Sequence, residues 1–245
     1  MPEKKTTMLS AWNQSGEDVL AEEVELSHGP FYCPACRQEL ILKKGRKVVA
    51  HYAHWPDAEC EYTNEGESEE HRLAKREIRQ ALLQVPGVTD IRLERYLRGV
   101  RPDVSFVLNG QMVAIEIQLS QLSLKKIEER TKAYARRNIA VLWMPLFSME
   151  LLESRYAPKD WERYLHRMYY AKVYYWYEGL LVQPVKFGEC LLEPDWWTGK
   201  RYRSKRFVTP ELLPQRSMLD LVPRWRSAWR DIPRAKLWCE PWEDR

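Results

Sequence analysis

The sequence predicts an α/β protein, a mixed sheet flanked by helices, with a small cysteine- and histidine-rich module in front of it. Three observations carry this. Cys33 and Cys36 stand two residues apart and are followed by His51, His54 and Cys60, a spacing that suits a tetrahedral zinc site. Asn109-Gly110 separates the apolar runs 104–108 and 111–117, and Asn-Gly in that setting is the strongest short-range signal for a two-residue hairpin turn. Ile139-Ala-Val-Leu-Trp-Met144 is unbrokenly apolar, as a strand covered on both faces must be.

In chain order, residues 1–27 are polar, with a strand expected near 18–26, and residues 28–62 form the metal module, where 40–42 and 48–50 read as a hairpin. A helix is expected over 67–84, because Ala74, Ile78, Ala81, Leu82 and Val85 recur at helical spacing and Pro86-Gly87 ends the pattern. A strand over 90–96, the Asn-Gly hairpin and a second helix over 123–137 follow, with Ile127, Thr131 and Tyr134 on one face and Asn138 as the stop. Strand, helix, buried strand is a crossover, expected to be right-handed and parallel. The domain reading is therefore 1–27, 28–62, 63–146 and a C-terminal extension over 147–245. In that extension a hairpin spans 169–177 and 180–187, and the Trp-, Pro- and Arg-rich remainder reads as helical or irregular.

With 245 residues, 44% hydrophobic and 30% charged, the chain can bury a core. No stretch approaches the roughly 20 apolar residues of a membrane span, and the first residues lack a signal-peptide apolar region. Five cysteines, three of them near histidines, fit a reducing compartment, so a cytoplasmic protein without a membrane partner is expected. A net charge of +4 identifies no partner. Residues 196–245, however, hold twelve basic against six acidic side chains among many tryptophans, a composition compatible with nucleic-acid binding.

Five residues compete for four zinc positions. Thiolates outrank imidazoles in softness, which favours Cys33, Cys36, His54 and Cys60, with His51 as the substitute, in a closed and therefore structural shell. If Asn109 and Gly110 make the turn, Asp103 lies opposite Glu116, with Cβ atoms roughly 4.5–5.5 Å apart. Two carboxylates so placed repel unless a cation lies between them, and a hard divalent ion takes carboxylate oxygens. Gln118 points to the same face. Glu67, His71 and Lys75 form one helical stripe that runs on into Ile78 and Leu82, so its polar end points inward; Glu70 is one step round and replaces Glu67 if need be. Ser120 ends the Glu116 strand, and Arg130 with Tyr134, at i and i+4, offers a phosphate contact.

The ordered set Cys-Pro-x-Cys, His-aromatic-Ala-His, Glu-x-x-x-His-x-x-x-Lys, Arg-Pro-Asp-Val, Glu-Ile-Gln-x-Ser, Arg-x-x-x-Tyr and a Val-Leu-Trp strand resembles the competence protein CoiA-like family, over roughly residues 30–146 and more weakly at 169–187. That family is similar to the PD-(D/E)xK nucleases, so the resemblance implies a restriction-endonuclease-like core behind a zinc ribbon. It implies a metal-dependent nuclease acting on single-stranded or duplex DNA with other DNA-processing proteins, in competence, recombination, phage defence or mobile-element maintenance. The acidic pair falls on Asp103 and Glu116, which with the Ile117 carbonyl hold Mg²⁺ or Mn²⁺. The helix motif falls on His71 and Lys75, with Glu67 or Glu70 upstream. Arg101, Ser120, Arg130 and Tyr134 are the substrate-binding candidates. Gln118 stands where the wider superfamily has lysine; the CoiA-like branch itself carries glutamine there. The alternative is a catalytically inactive nucleic-acid-binding or protein adaptor.

Overall fold

A computed structural model of the chain describes residues 7–45, 48–56, 58–60, 68–118, 123–194, 197–198 and 200–241. It divides into two compact units, Met1–Gly110 and Gln111–Arg245.

The first unit begins with six short strands, β1 (Thr7–Met8), β2 (Ser10–Trp12), β3 (Asp18–Leu20), β4 (Phe31–Tyr32), β5 (Glu39–Lys43) and β6 (His51–His54). They form one sheet in the order β1-β6-β5-β4-β2-β3. Met8, Phe31, Cys33, Leu40, Leu42 and Tyr52 fill its core, and the Phe31 and Tyr52 rings lie 5.1 Å apart. The strand expected near 18–26 ends at Leu20, and Leu26–His28 is a single 3-10 turn. The second strand of the module hairpin is His51–His54 rather than 48–50, with Leu40 opposite His54 and Lys43 opposite His51. That register puts Tyr52 beside Leu42 and buries it completely, while Val48 stays 45% exposed.

Helix α1 (Glu69–Leu83) starts on Ser68, whose hydroxyl accepts the His71 N–H at 3.2 Å, and carries Glu69 and Glu70 at the positive end of the helix dipole. Its buried face includes Ala74, Lys75, Ile78 and Leu82, the stripe expected from the sequence. The next strands, β7 (Val88–Leu93) and β8 (Val104–Leu108), pair antiparallel, with a register shift between Thr89 and Arg92. The strand expected over 90–96 thus lies earlier. It stops where Glu94 takes a left-handed φ of 52°, although the Glu94 N–H still donates to the Asp103 carbonyl at 3.0 Å. Asn109 and Gly110 both have positive φ, 50° and 74°, the conformation a two-residue type I′ turn requires.

In the second unit β9 (Gln111–Gln118), helix α2 (Leu124–Arg136) and β10 (Ala140–Pro145) make the expected strand–helix–strand crossover. β9 and β10 run parallel from Val113 opposite Ala140 to Gln118 opposite Pro145. Ser123 caps α2, which buries Ile127, Thr131 and Tyr134, and all six residues of β10 are buried. Helix α3 (Asp160–Met168) follows, then β11 (Val173–Glu178), β12 (Leu181–Pro194), β13 (Arg201–Leu212) and β14 (Arg216–Ser217), which form a separate antiparallel sheet. The last strands, β15 (Val222–Arg226) and β16 (Ala235–Cys239), return to the first ladder: β16 lies parallel to β10 and β15 antiparallel to β16. The helical or irregular extension expected here is therefore largely β-structure. The reason lies in β16, where all five residues are buried, including Lys236, whose ammonium donates to Asn138 Oδ1 at 2.7 Å and to Gln111.

Trp143, 1% exposed on β10, ties this unit together: its indole N–H donates to Thr131 Oγ1 of α2 at 3.0 Å, and its backbone N–H to the Tyr169 hydroxyl at 2.9 Å. Trp143→Ala is expected to lower stability by about 3–5 kcal/mol, read in urea unfolding as a lower midpoint at unchanged slope.

Candidate metal centre and buried acid sites

Cys33, Cys36, His54 and Cys60 gather their ligand atoms within 4.8 Å of one another. Cys33 Sγ and Cys60 Sγ are 3.9 Å apart, and Cys36 Sγ lies 3.4 Å from His54 Nε2. Zinc–sulfur bonds of about 2.3 Å give a tetrahedral S···S edge of about 3.8 Å, so the donor set fits Zn²⁺. Burial, and then the neighbouring thiols, push the Cys33 thiol up to about 12 despite backbone N–H groups that favour the thiolate; a cation would supply the missing stabilisation. Burial and then Arg101 push His54 below its ordinary value, toward the neutral form a metal needs. His51 is not part of the cluster; its Nδ1 lies 2.9 Å from the Val49 carbonyl. Positions three apart on a strand face opposite sides, which is why only one histidine of β6 can join the thiols.

The same unit holds a buried polar chain. Asp103 Oδ2 lies 3.1 Å from His71 Nε2, and Asp103 Oδ1 lies 3.8 Å from Lys75 Nζ. Lys75, 1% exposed, donates to Glu94 Oε1 at 2.5 Å. Glu94, 2% exposed, also accepts the Leu9 N–H at 3.0 Å and lies 3.9 Å from Arg101. Burial opposes ionisation of Glu94, but Lys75 and Arg101 outweigh it and hold the carboxyl below the usual range. Sequence reasoning missed Glu94, because within the strand expected over 90–96 it reads as one charged residue among others, in Arg92-Leu-Glu-Arg95. The available signal was Lys75 itself: a lysine on an inward stripe requires a buried counter-charge.

In the second unit Glu116, 1% exposed on β9, meets α2. Arg130 Nη2 lies 2.6 Å from each of its carboxylate oxygens, and the Tyr134 hydroxyl donates to it. Burial and then Glu116 hold that hydroxyl well above its ordinary pKa, so it stays a donor. The Arg130 guanidinium rests 5.5 Å from the Trp143 ring centre. Arg130 and Tyr134, the i, i+4 pair whose arginine is expected to offer a phosphate contact, both bond Glu116. Ile117 is buried beside it on the strand, and Glu70 is exposed in the first turn of α1. Glu67, Ser120 and the Gln118 side chain lie outside the described residues.

Two family models match the chain: "Competence protein CoiA, N-terminal domain" over residues 14–63, and "Competence protein CoiA, nuclease-like domain" over residues 67–168. A competence protein CoiA of Bacillus subtilis (strain 168) is 30% identical over 126 residues, 51% of this chain and 33% of the relative. The match therefore spans only about a third of that curated relative's length. No solved structure matches.

The purified protein is expected to carry about one zinc per chain by atomic absorption. Cys60→Ser should abolish binding and His51→Ala retain it; equal loss in both would place the metal elsewhere. The Glu94 ion pair sets a second expectation. Because its folded pKa is depressed, its contribution is present above the unfolded value of about 4.3 and fades as pH falls. Glu94→Gln should lose about 3–5 kcal/mol at pH 7, with the gap from wild type narrowing in urea titrations below about pH 4.

Proposed function

The chain belongs to the competence protein CoiA family, and from that footing we propose that it is a metal-dependent nuclease that hydrolyses DNA phosphodiester bonds in the cytoplasm. Its core is then restriction-endonuclease-like. The observation that carries this reading is Asp103 held between His71 and Lys75, within the span matched by the nuclease-like domain.

Asp103 and Glu116, opposite each other by the sequence register across Asn109-Gly110, would hold Mg²⁺ or Mn²⁺ together with the Ile117 carbonyl. The donors fit: a carboxylate offers about four acceptor positions, so Glu116 can accept Arg130 and Tyr134 and still ligate. Bound there, the ion would lower the pKa of a water and polarise the scissile phosphate. The remaining roles fall to side chains of this chain. Lys75, ion-paired with Glu94, offsets the charge that grows on the phosphate in the transition state. His71 orients Asp103. Arg130 and Tyr134 fix the Glu116 carboxylate, while Arg101 and Ser120 contact substrate. Gln118 orients the water or a phosphate oxygen, and its neutral amide leaves to Lys75 the charge a lysine would carry there. Glu67 or Glu70 supplies the upstream acid.

A second reading, a non-catalytic nucleic-acid or protein adaptor, draws support from one observation: Glu116 is already neutralised within the protein by Arg130. Cleavage assays on single-stranded, duplex and branched DNA separate the two. Asp103→Ala and Glu116→Ala should each lower Mg²⁺-dependent cleavage by about 10²–10³-fold or more, while gel-shift affinity persists. Undiminished cleavage by both variants would overturn the assignment. Calorimetry with Mn²⁺ that detects no carboxylate-dependent site would favour the adaptor.

A further inference from the structure

We propose that a basic, tryptophan-walled pocket in the second unit binds a nucleobase and the adjoining phosphates of a single-stranded nucleic acid. The inference rests on the nuclease reading for its place in the protein's work, and deepens it by naming the strand form that is held.

The pocket is an open cavity of about 470 Å³ between α2 and the β15–β16 connection, within the roughly 300–1,000 Å³ of ligand sites. Lys132 and Arg136 of α2 form one wall, and Trp225, Arg230 and Arg234 the other. Two acids share the lining, Glu128 and Asp231, and each already has a basic partner, Lys132 and Arg167 respectively. The wall is therefore net positive and suits a polyanion.

Its aromatic content selects among polyanions. Trp225, on β15 and lining the pocket, is 47% exposed, and Trp229, in the β15–β16 connection next to the lining residue Arg230, is 49% exposed. A guanidinium stands 4.6 Å from each ring centre, Arg234 over Trp225 and Arg230 over Trp229. Indoles interleaved with guanidiniums match a ligand that alternates flat π-faces with phosphates. A duplex keeps those faces stacked inside, whereas a single strand offers them, so the match is to unpaired nucleotides.

The platform is also fixed before any ligand arrives. Trp229 and Ile232 exchange two backbone hydrogen bonds of 2.9 Å each, closing a turn in which Arg230 adopts a left-handed φ of 50°. Ile232 is buried at 1% exposure, and Asp231 is anchored 2.6 Å from Arg167 of α3. A turn so held loses little conformational freedom on binding.

Fluorescence anisotropy of the full chain tests this with labelled oligo(dT), oligo(rU), a duplex and a poly-glutamate competitor. Trp225→Ala should weaken single-strand binding about 5- to 100-fold and duplex binding little, while Trp225→Phe keeps most of the affinity. Arg234→Gln should lower the slope of log affinity against log salt by about one. Should circular dichroism find Trp225→Ala unfolded, the Trp225→Phe and Arg234→Gln pair carries the test. Unchanged oligo(dT) affinity in Trp225→Ala and Arg234→Gln, equal competition by poly-glutamate, or a Trp225-dependent self-association in place of nucleic-acid binding would each overturn the proposal. Asp103→Ala separates this result from the nuclease reading: it should bind oligo(dT) like wild type, so lost cleavage with retained binding and lost binding with retained cleavage are distinct outcomes.

Discussion

A carboxylate taken out of water must be met by cations and donors, and two such groups, Glu94 and Glu116, organise their surroundings. Glu94 draws in the Lys75 ammonium, the Leu9 amide and, at longer range, Arg101. Because Leu9 adjoins the first strands, the same group fastens the metal module to α1. Glu116 draws in Arg130 and Tyr134, which fixes how α2 lies on β9. A lone buried charge would shift its pKa and neutralise instead. Here the compensation is specific enough to set where helices sit, and it leaves Asp103, 16% exposed at its side chain, as the more accessible acid.

Much of this was legible in the sequence. The inward stripe of α1 followed from spacing, since four-residue steps must share a helix face. The crossover around α2 followed from an apolar run too continuous for a half-exposed strand. The choice of four metal ligands from five rested on softness, and strand alternation would have given the same answer had β6 been placed three residues later. Glu94 was invisible for a different reason. Its inward turn depends on a left-handed backbone at a strand end, and no local pattern announces that.

The C-terminal third was read least well, and the physical causes are plain. Pro210 sits inside β13, opposite Phe187, although proline ordinarily argues against a strand. Lys236 interrupts the apolar pattern of β16 while being 8% exposed, because Asn138 and Gln111 receive its protons. Glu162 at the start of α3 is 2% exposed and accepts the Tyr156 and Tyr175 hydroxyls at 2.8 and 2.6 Å. Lys236 and Glu162 are polar groups buried against their hydrogen-bond partners, and single-sequence periodicity counts such groups as solvent-facing.

β15 lies at the end of its ladder among the described residues, paired only with β16. A strand at that place presents unused amides to any other extended chain, and so invites aggregation. Its sequence, Val222-Pro-Arg-Trp-Arg226, answers that hazard: Pro223 removes one donor, and Arg224 and Arg226 set two positive charges where an incoming strand would lie. The guanidiniums of both are spread over Tyr170, at 4.3 and 4.6 Å, which holds them in place. The segment beside the tryptophan pocket thereby also guards the chain's colloidal stability.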